Sequence, residues 1–63
     1  MNLTLGNCYA VLLANGEVVH FRFEGCNANG QVVIEVPPGS GNKVPLNNVI
    51  TAYKAYWSLP DPA

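Results

Sequence analysis

Ala10-Val11-Leu12-Leu13-Ala14-Asn15-Gly16-Glu17-Val18-Val19-His20-Phe21-Arg22-Phe23 contains two strand-like runs joined by an Asn-Gly pair. Asn-Gly between β-branched and aromatic runs is the strongest short-range hairpin signal, because both residues accept the positive φ of a type I′ turn. Asn29-Gly30 repeats the signal between Phe23 and Val32. The two corners predict strands over residues 7–14, 17–26 and 31–36. Beyond them, Pro37-Pro38-Gly39-Ser40-Gly41-Asn42 reads as a mobile connection, since proline and glycine both defeat regular pairing. A short strand over 43–46 follows, with Pro45 marking an edge or a strand end. Residues 46–49 read as one tight turn, residues 50–56 as the last strand, and the proline-containing stretch 58–63 as a tail. The expectation is one all-β domain over 1–57, five-stranded, antiparallel, strongly bent and closed or nearly closed into a barrel, with little or no helix.

A two-residue loop at each corner sets a register. Leu12 then faces Val19, Ala10 faces Phe21 and Cys8 faces Phe23. Since side chains alternate along a strand, Cys8, Ala10, Leu12, Val19, Phe21 and Phe23 share one face. The second corner sets Val36 opposite Phe23 and Ile34 opposite Gly25, adding Val32, Ile34 and Val36 to that core face. Gly25 offers the bend that a barrel corner needs. The opposite face receives Tyr9, Val11, Leu13, Val18, His20, Arg22 and Glu24, and Val11, Leu13 and Val18 form an apolar patch on it. A patch of this kind is expected to be covered by another subunit or a partner.

Composition points the same way. Hydrophobic residues make up 49% of the 63 and charged residues 11%, against roughly 25% charged in an average soluble domain. So short a chain has a marginal core of its own, and association is an available staple. The net charge is −1. Three scattered cations, Arg22, Lys43 and Lys54, are a poor footprint for phosphates. The start of the chain has neither a basic segment nor an apolar one, and no run reaches membrane-spanning length, so a cytoplasmic location without membrane contact is expected.

The stretch Tyr9 to Gly25, a strand, a turn and a strand ending in glycine, resembles the first signature of Sm-like proteins. Leu46-Asn47-Asn48-Val49-Ile50 is similar in placement to their second signature. Over residues 9–56 the order of elements resembles the small-β-barrel superfold, Sm-like or Src-homology-3-like. The Sm-like form of the resemblance implies an oligomeric, RNA-binding protein. The opening helix of most Sm-like proteins has no counterpart here, and Asn47-Asn48 stands where their second signature has Arg-Gly.

The residues that bear chemistry are few. Cys8 and Cys26 fall on opposite faces in this register, which separates them beyond disulfide reach, and they read as small buried hydrophobes. Two cysteines and His20 do not make a four-ligand zinc site. Glu24 and Glu35 are expected opposite each other on the solvated face. Gly39-Ser40-Gly41 lacks the lysine and helix start of a phosphate loop. No catalytic residue, metal or cofactor is assigned. Tyr9, His20 and Arg22 form one candidate binding cluster, with Arg22 over the Tyr9 ring. Tyr53, Tyr56 and Trp57 form a second, with Tyr53 and Trp57 on one face and Tyr56 on the other; aromatics there either close the barrel or bind a ligand. Three readings follow. The first is a non-enzymatic, homo-oligomeric interaction module for a protein or small ligand. The others are an Sm-like RNA binder and a small-molecule or nucleotide binder with sites between subunits.

Overall fold

A computed structural model of the chain describes residues 1–60. The elements are β1 (Cys8–Leu13), β2 (Val18–Cys26), β3 (Val32–Glu35), β4 (Lys43–Pro45), a single 3₁₀ turn (Leu46–Asn48) and β5 (Tyr53–Leu59). They form one antiparallel sheet in the order β4-β3-β2-β1-β5. The all-β, five-stranded architecture is as expected. Its edges, β4 and β5, do not pair with each other, so the sheet is open. The last strand starts later than its sequence pattern suggests and runs through Ser58 and Leu59, both expected in the tail. The end of that tail, 61–63, lies outside the described residues.

The corners differ from the expected two-residue turns, and the difference reverses β1. Leu13 N–H donates to the Glu17 carbonyl (2.8 Å) and Gly16 N–H donates to the Leu13 carbonyl (3.0 Å), which closes a three-residue loop, Ala14-Asn15-Gly16. Gly16 has φ +93°, and among the described residues none other than glycine has positive φ, so Asn15 cannot take its part in a type I′ turn. The geometry is a type I turn completed by a left-handed glycine, the common three-residue hairpin. The extra loop residue moves the pairing by one, to Tyr9↔Phe21, Ala10↔His20 and Val11↔Val19. A one-residue slip exchanges a strand's two faces. Tyr9, Val11 and Leu13 therefore point inward, and Cys8, Ala10 and Leu12 outward. The predicted outward patch of Val11, Leu13 and Val18 is divided: Val11 is wholly buried, Leu13 packs on the core, and only Val18 is exposed.

At the second corner, Asn27 N–H donates to the Gln31 carbonyl and Gly30 N–H donates to the Asn27 carbonyl, both at 3.0 Å, enclosing Ala28-Asn29-Gly30. Here the slip is undone. Cys26 pairs with Val32, but further along Phe23 pairs with Ile34 and Arg22 with Glu35, so a bulge lies between Phe23 and Cys26. Gly25 makes the kink possible with φ +93°. Loop and bulge each displace the pairing by one, and two displacements restore the original face. Val32, Ile34 and Val36 thus reach the core as expected, although Ile34 lies beside Phe23 rather than Gly25. Glu35 faces Arg22 rather than Glu24.

Tyr9, Val11, Phe21, Ile34 and Ile50 form the buried core. Tyr9 and Phe21 stack at 5.7 Å between ring centroids, one ring on each strand of the first hairpin. Residues ahead of β1 cross this face: Leu3 packs on the core, and the Tyr9 and Tyr56 hydroxyls accept hydrogen bonds from Thr4 N–H (2.7 Å) and Asn2 N–H (2.8 Å). Truncating a buried phenylalanine to alanine costs about 3–5 kcal/mol. That is a large share of the roughly 3–9 kcal/mol that a chain of this size holds in total.

Candidate functional site

The site is built on the outward face of β1, β2 and β5. Across the sheet its rows read Val18, Leu12, Ala55; then His20, Ala10, Trp57; then Arg22, Cys8, Leu59. Ala10 is the smallest of the middle row and is fully buried, while Trp57 keeps 45% and Val18 50% of its surface exposed. A methyl floor with His20 on one side and the indole on the other is an apolar, ring-walled surface set on hydrogen-bonded strands.

A bulge places Trp57 there. Leu12 pairs with Ala55 but Leu13 pairs with Tyr53, so β5 carries one extra residue at Lys54. Tyr53 therefore rejoins Tyr56 on the core side, in an edge-on contact at 6.0 Å and 80°. The expected grouping of Tyr53 with Trp57 does not occur. Nor does the cluster of Tyr9, His20 and Arg22: Tyr9 is in the core, His20 and Arg22 are on the outward face, and Arg22 neighbours Cys8 rather than the Tyr9 ring. Ala10, Leu12 and Ala55 join the site although the sequence pattern did not single them out. Two alanines acquire meaning only once the register places them next to large rings.

Two of the three cations, Arg22 and Lys43, are engaged nearby. Lys43 Nζ lies 3.2 Å from Glu24 Oε1, and Arg22 Nη1 lies 4.0 Å from Glu35 Oε1. Glu35 is buried, not solvated as expected, because the loop that follows folds back over its carboxylate. Its carboxylate accepts hydrogen bonds from Gly39 N–H (2.7 Å) and Gly41 N–H (2.9 Å). These two bonds, with smaller contributions from Arg22 and Lys43, outweigh burial and hold the carboxyl below its ordinary value of 4.5. The glycine-rich loop does cradle an anion, and the anion is its own glutamate. It is tied down on both sides, since Val36 N–H also donates to the Asn42 carbonyl (3.0 Å). The two cysteines are unbridged; Cys8 is buried and Cys26 exposed, so only the first matches the buried pair expected.

The two sheet edges differ. β4 has three residues, beginning with Lys43 and ending with Pro45. Lysine, proline and shortness are standard ways of blunting an edge. β5 has seven residues with no proline. Away from the sheet face, a hollow of about 240 Å³ lies beside the first corner, lined by Leu13, Ala14, Asn15, Val49, Thr51 and Ala52. Among the described residues no three His, Cys, Asp or Glu side chains are grouped to hold a metal ion, and no helix is long and apolar enough to cross a membrane. No protein-family model, curated protein or solved structure matches the chain.

Proposed function

We propose that this protein is a non-enzymatic interaction module that associates through the apolar, aromatic outer face of its sheet. The observation that carries the reading is the exposed Trp57 indole beside fully buried Ala10, with His20, Leu12, Val18 and Ala55 around them. Exposed tryptophan in an apolar surround, on a rigid scaffold, is the composition of an interface centre. The occupant is a macromolecular surface rather than a small ligand, because the hollow lined by Leu13 and Thr51 lies elsewhere and is below the roughly 300–1,000 Å³ of ordinary ligand pockets. Engagement of Arg22 and Lys43 by carboxylates weakens the case for RNA. The order of elements, with a bent second strand and a 3₁₀ turn before the last, supports a likeness to the small β-barrels, which by itself assigns no function.

The test compares immobilised wild type with Trp57→Ala and His20→Ala for capture of proteins. The expected result is a partner held by the wild type and lost by Trp57→Ala, with the thermal midpoints of the two unchanged within a few degrees. Identical capture by wild type and Trp57→Ala removes the outer face as the docking surface.

A further inference from the structure

We propose that two copies of this chain pair antiparallel along their β5 edges, about a two-fold axis at Trp57, so that both Trp57 rings lie side by side on one continuous outer face. This rests on the reading that the chain acts by association on that face, and it names the occupant of the open edge.

The backbone defines what the edge offers. At the two ends of β1, the Asn7 carbonyl accepts a hydrogen bond from Phe23 N–H (3.0 Å) and Leu13 N–H donates to the Glu17 carbonyl (2.8 Å), so the odd-numbered residues bond toward β2. The alternation of an antiparallel ladder then turns Cys8, Ala10 and Leu12 toward β5, where their partners are Leu59, Trp57 and Ala55. Tyr56 and Ser58 therefore point their N–H and C=O groups away from the sheet. No strand lies beyond them among the described residues. The Lys54 bulge ends the regular part of the edge, leaving Ala55–Leu59, whose middle residue is Trp57.

A two-fold at Trp57 sets Tyr56 of each copy opposite Ser58 of the other, and these are the residues with outward backbone groups. Two such pairs make four hydrogen bonds. Side chains fit in the same register. Tyr56 meets Ser58 on the core side, Ala55 meets Leu59 on the outer side, and Trp57 meets Trp57, an aromatic cross-strand pair. One strand supplies the large and the small member of each unequal pair, as an isologous interface requires. Charge also selects a second copy. No ionisable side chain other than Tyr56 lies between Ala55 and Leu59, Lys54 falls opposite Pro60, and a net charge of −1 per chain opposes association little. Blunted β4 offers no comparable seam.

Sedimentation equilibrium and circular dichroism over a dilution series test the proposal. With one tryptophan per chain, an exciton couplet from two indoles requires two copies. The expected result is a particle of twice 6.7 kDa with a tryptophan couplet, both vanishing together on dilution. Ser58→Pro removes an outward N–H without touching the β1 ladder, and it should weaken the dimer by about tenfold or more while the fold still melts cooperatively. If Ser58→Pro does not fold, Trp57→Glu serves instead, since it opposes two like charges across the axis and should give a monomer. A monomer at all concentrations, a dimer without the couplet, or a dimer indifferent to the folded variant overturns the proposal. A monomer that still captures a partner through Trp57 sinks this inference alone, leaving the module reading intact.

Discussion

The two hairpins carry the same corner, Ala14-Asn15-Gly16 and Ala28-Asn29-Gly30, folded into the same three-residue loop, yet they treat its extra residue differently. In the first, nothing compensates, and β1 presents Tyr9 and Val11 to the core. In the second, a bulge at Gly25 absorbs the displacement, and β3 presents Ile34. A turn thus sets where pairing starts, while a bulge further along decides which face arrives at the core. The uncompensated hairpin also makes the outer face: it is what leaves Ala10 between His20 and Trp57.

The sharpest way to break this contrast is a charge on each face of β1. Val11→Lys buries an unpaired ammonium and should leave the chain unfolded at 25 °C, since the cost is comparable with the whole stability of about 3–9 kcal/mol. Leu12→Lys, one residue along on the outward face, should cost about 1 kcal/mol or less. A two-residue corner would reverse the order, so chemical denaturation of the pair reads the loop directly.

A smaller effect separates the compensated hairpin from the other. Gly25→Ala and Gly16→Ala both force a side chain into positive φ (each +93°), a strain of about 1–2 kcal/mol. The new Cβ clashes at neither site: it meets nothing at Gly16 and only Leu5 Cδ1 at 3.4 Å, an ordinary contact, at Gly25. Gly25 is held between the paired residues Phe23 and Cys26 and has less room to relax than the exposed corner, so Gly25→Ala should show the lower urea midpoint, and equal midpoints would mean that the bulge bears no more than a turn does.

The smallest effect is one of pH, and it belongs to the second hairpin. Glu35 has a depressed folded value, so its stabilisation is complete above its ordinary value of 4.5 and is lost as pH falls through the lower folded one. Glu35→Gln should be less stable than the wild type at neutral pH, and the gap should narrow below that ordinary value. Urea midpoints at several pH values check this; a gap constant down to strongly acidic pH would show that the Gly39 and Gly41 bonds do not depend on the charge.

Much of the fold was legible because it rests on composition and punctuation. Asn-Gly pairs placed the corners, Pro37-Pro38-Gly39 the break before β4, and alternation in Val19, Phe21 and Phe23 the inward face of β2. The site was much less so. Trp57 stands out in the sequence, but alternation alone pairs it with Tyr53, because nothing in Tyr53-Lys54-Ala55-Tyr56-Trp57 announces that Lys54 is the extra residue of a bulge. In the sequence Glu35 looks like a surface carboxylate, because its partners, Gly39 and Gly41, are reached only when the loop folds back.

By itself, then, the amino-acid order determined that this chain is an antiparallel all-β ribbon with two hairpin corners and that the rings of β2 face inward. Only the tertiary structure decided that β1 turns Tyr9 and Val11, rather than Cys8 and Ala10, toward the core, and that Trp57 stands outside. The reason is the period of two along a strand: one residue more in a loop or bulge exchanges the faces, and the local geometries differ little in cost. The choice falls to whichever arrangement lets the other strands bury the larger side chains.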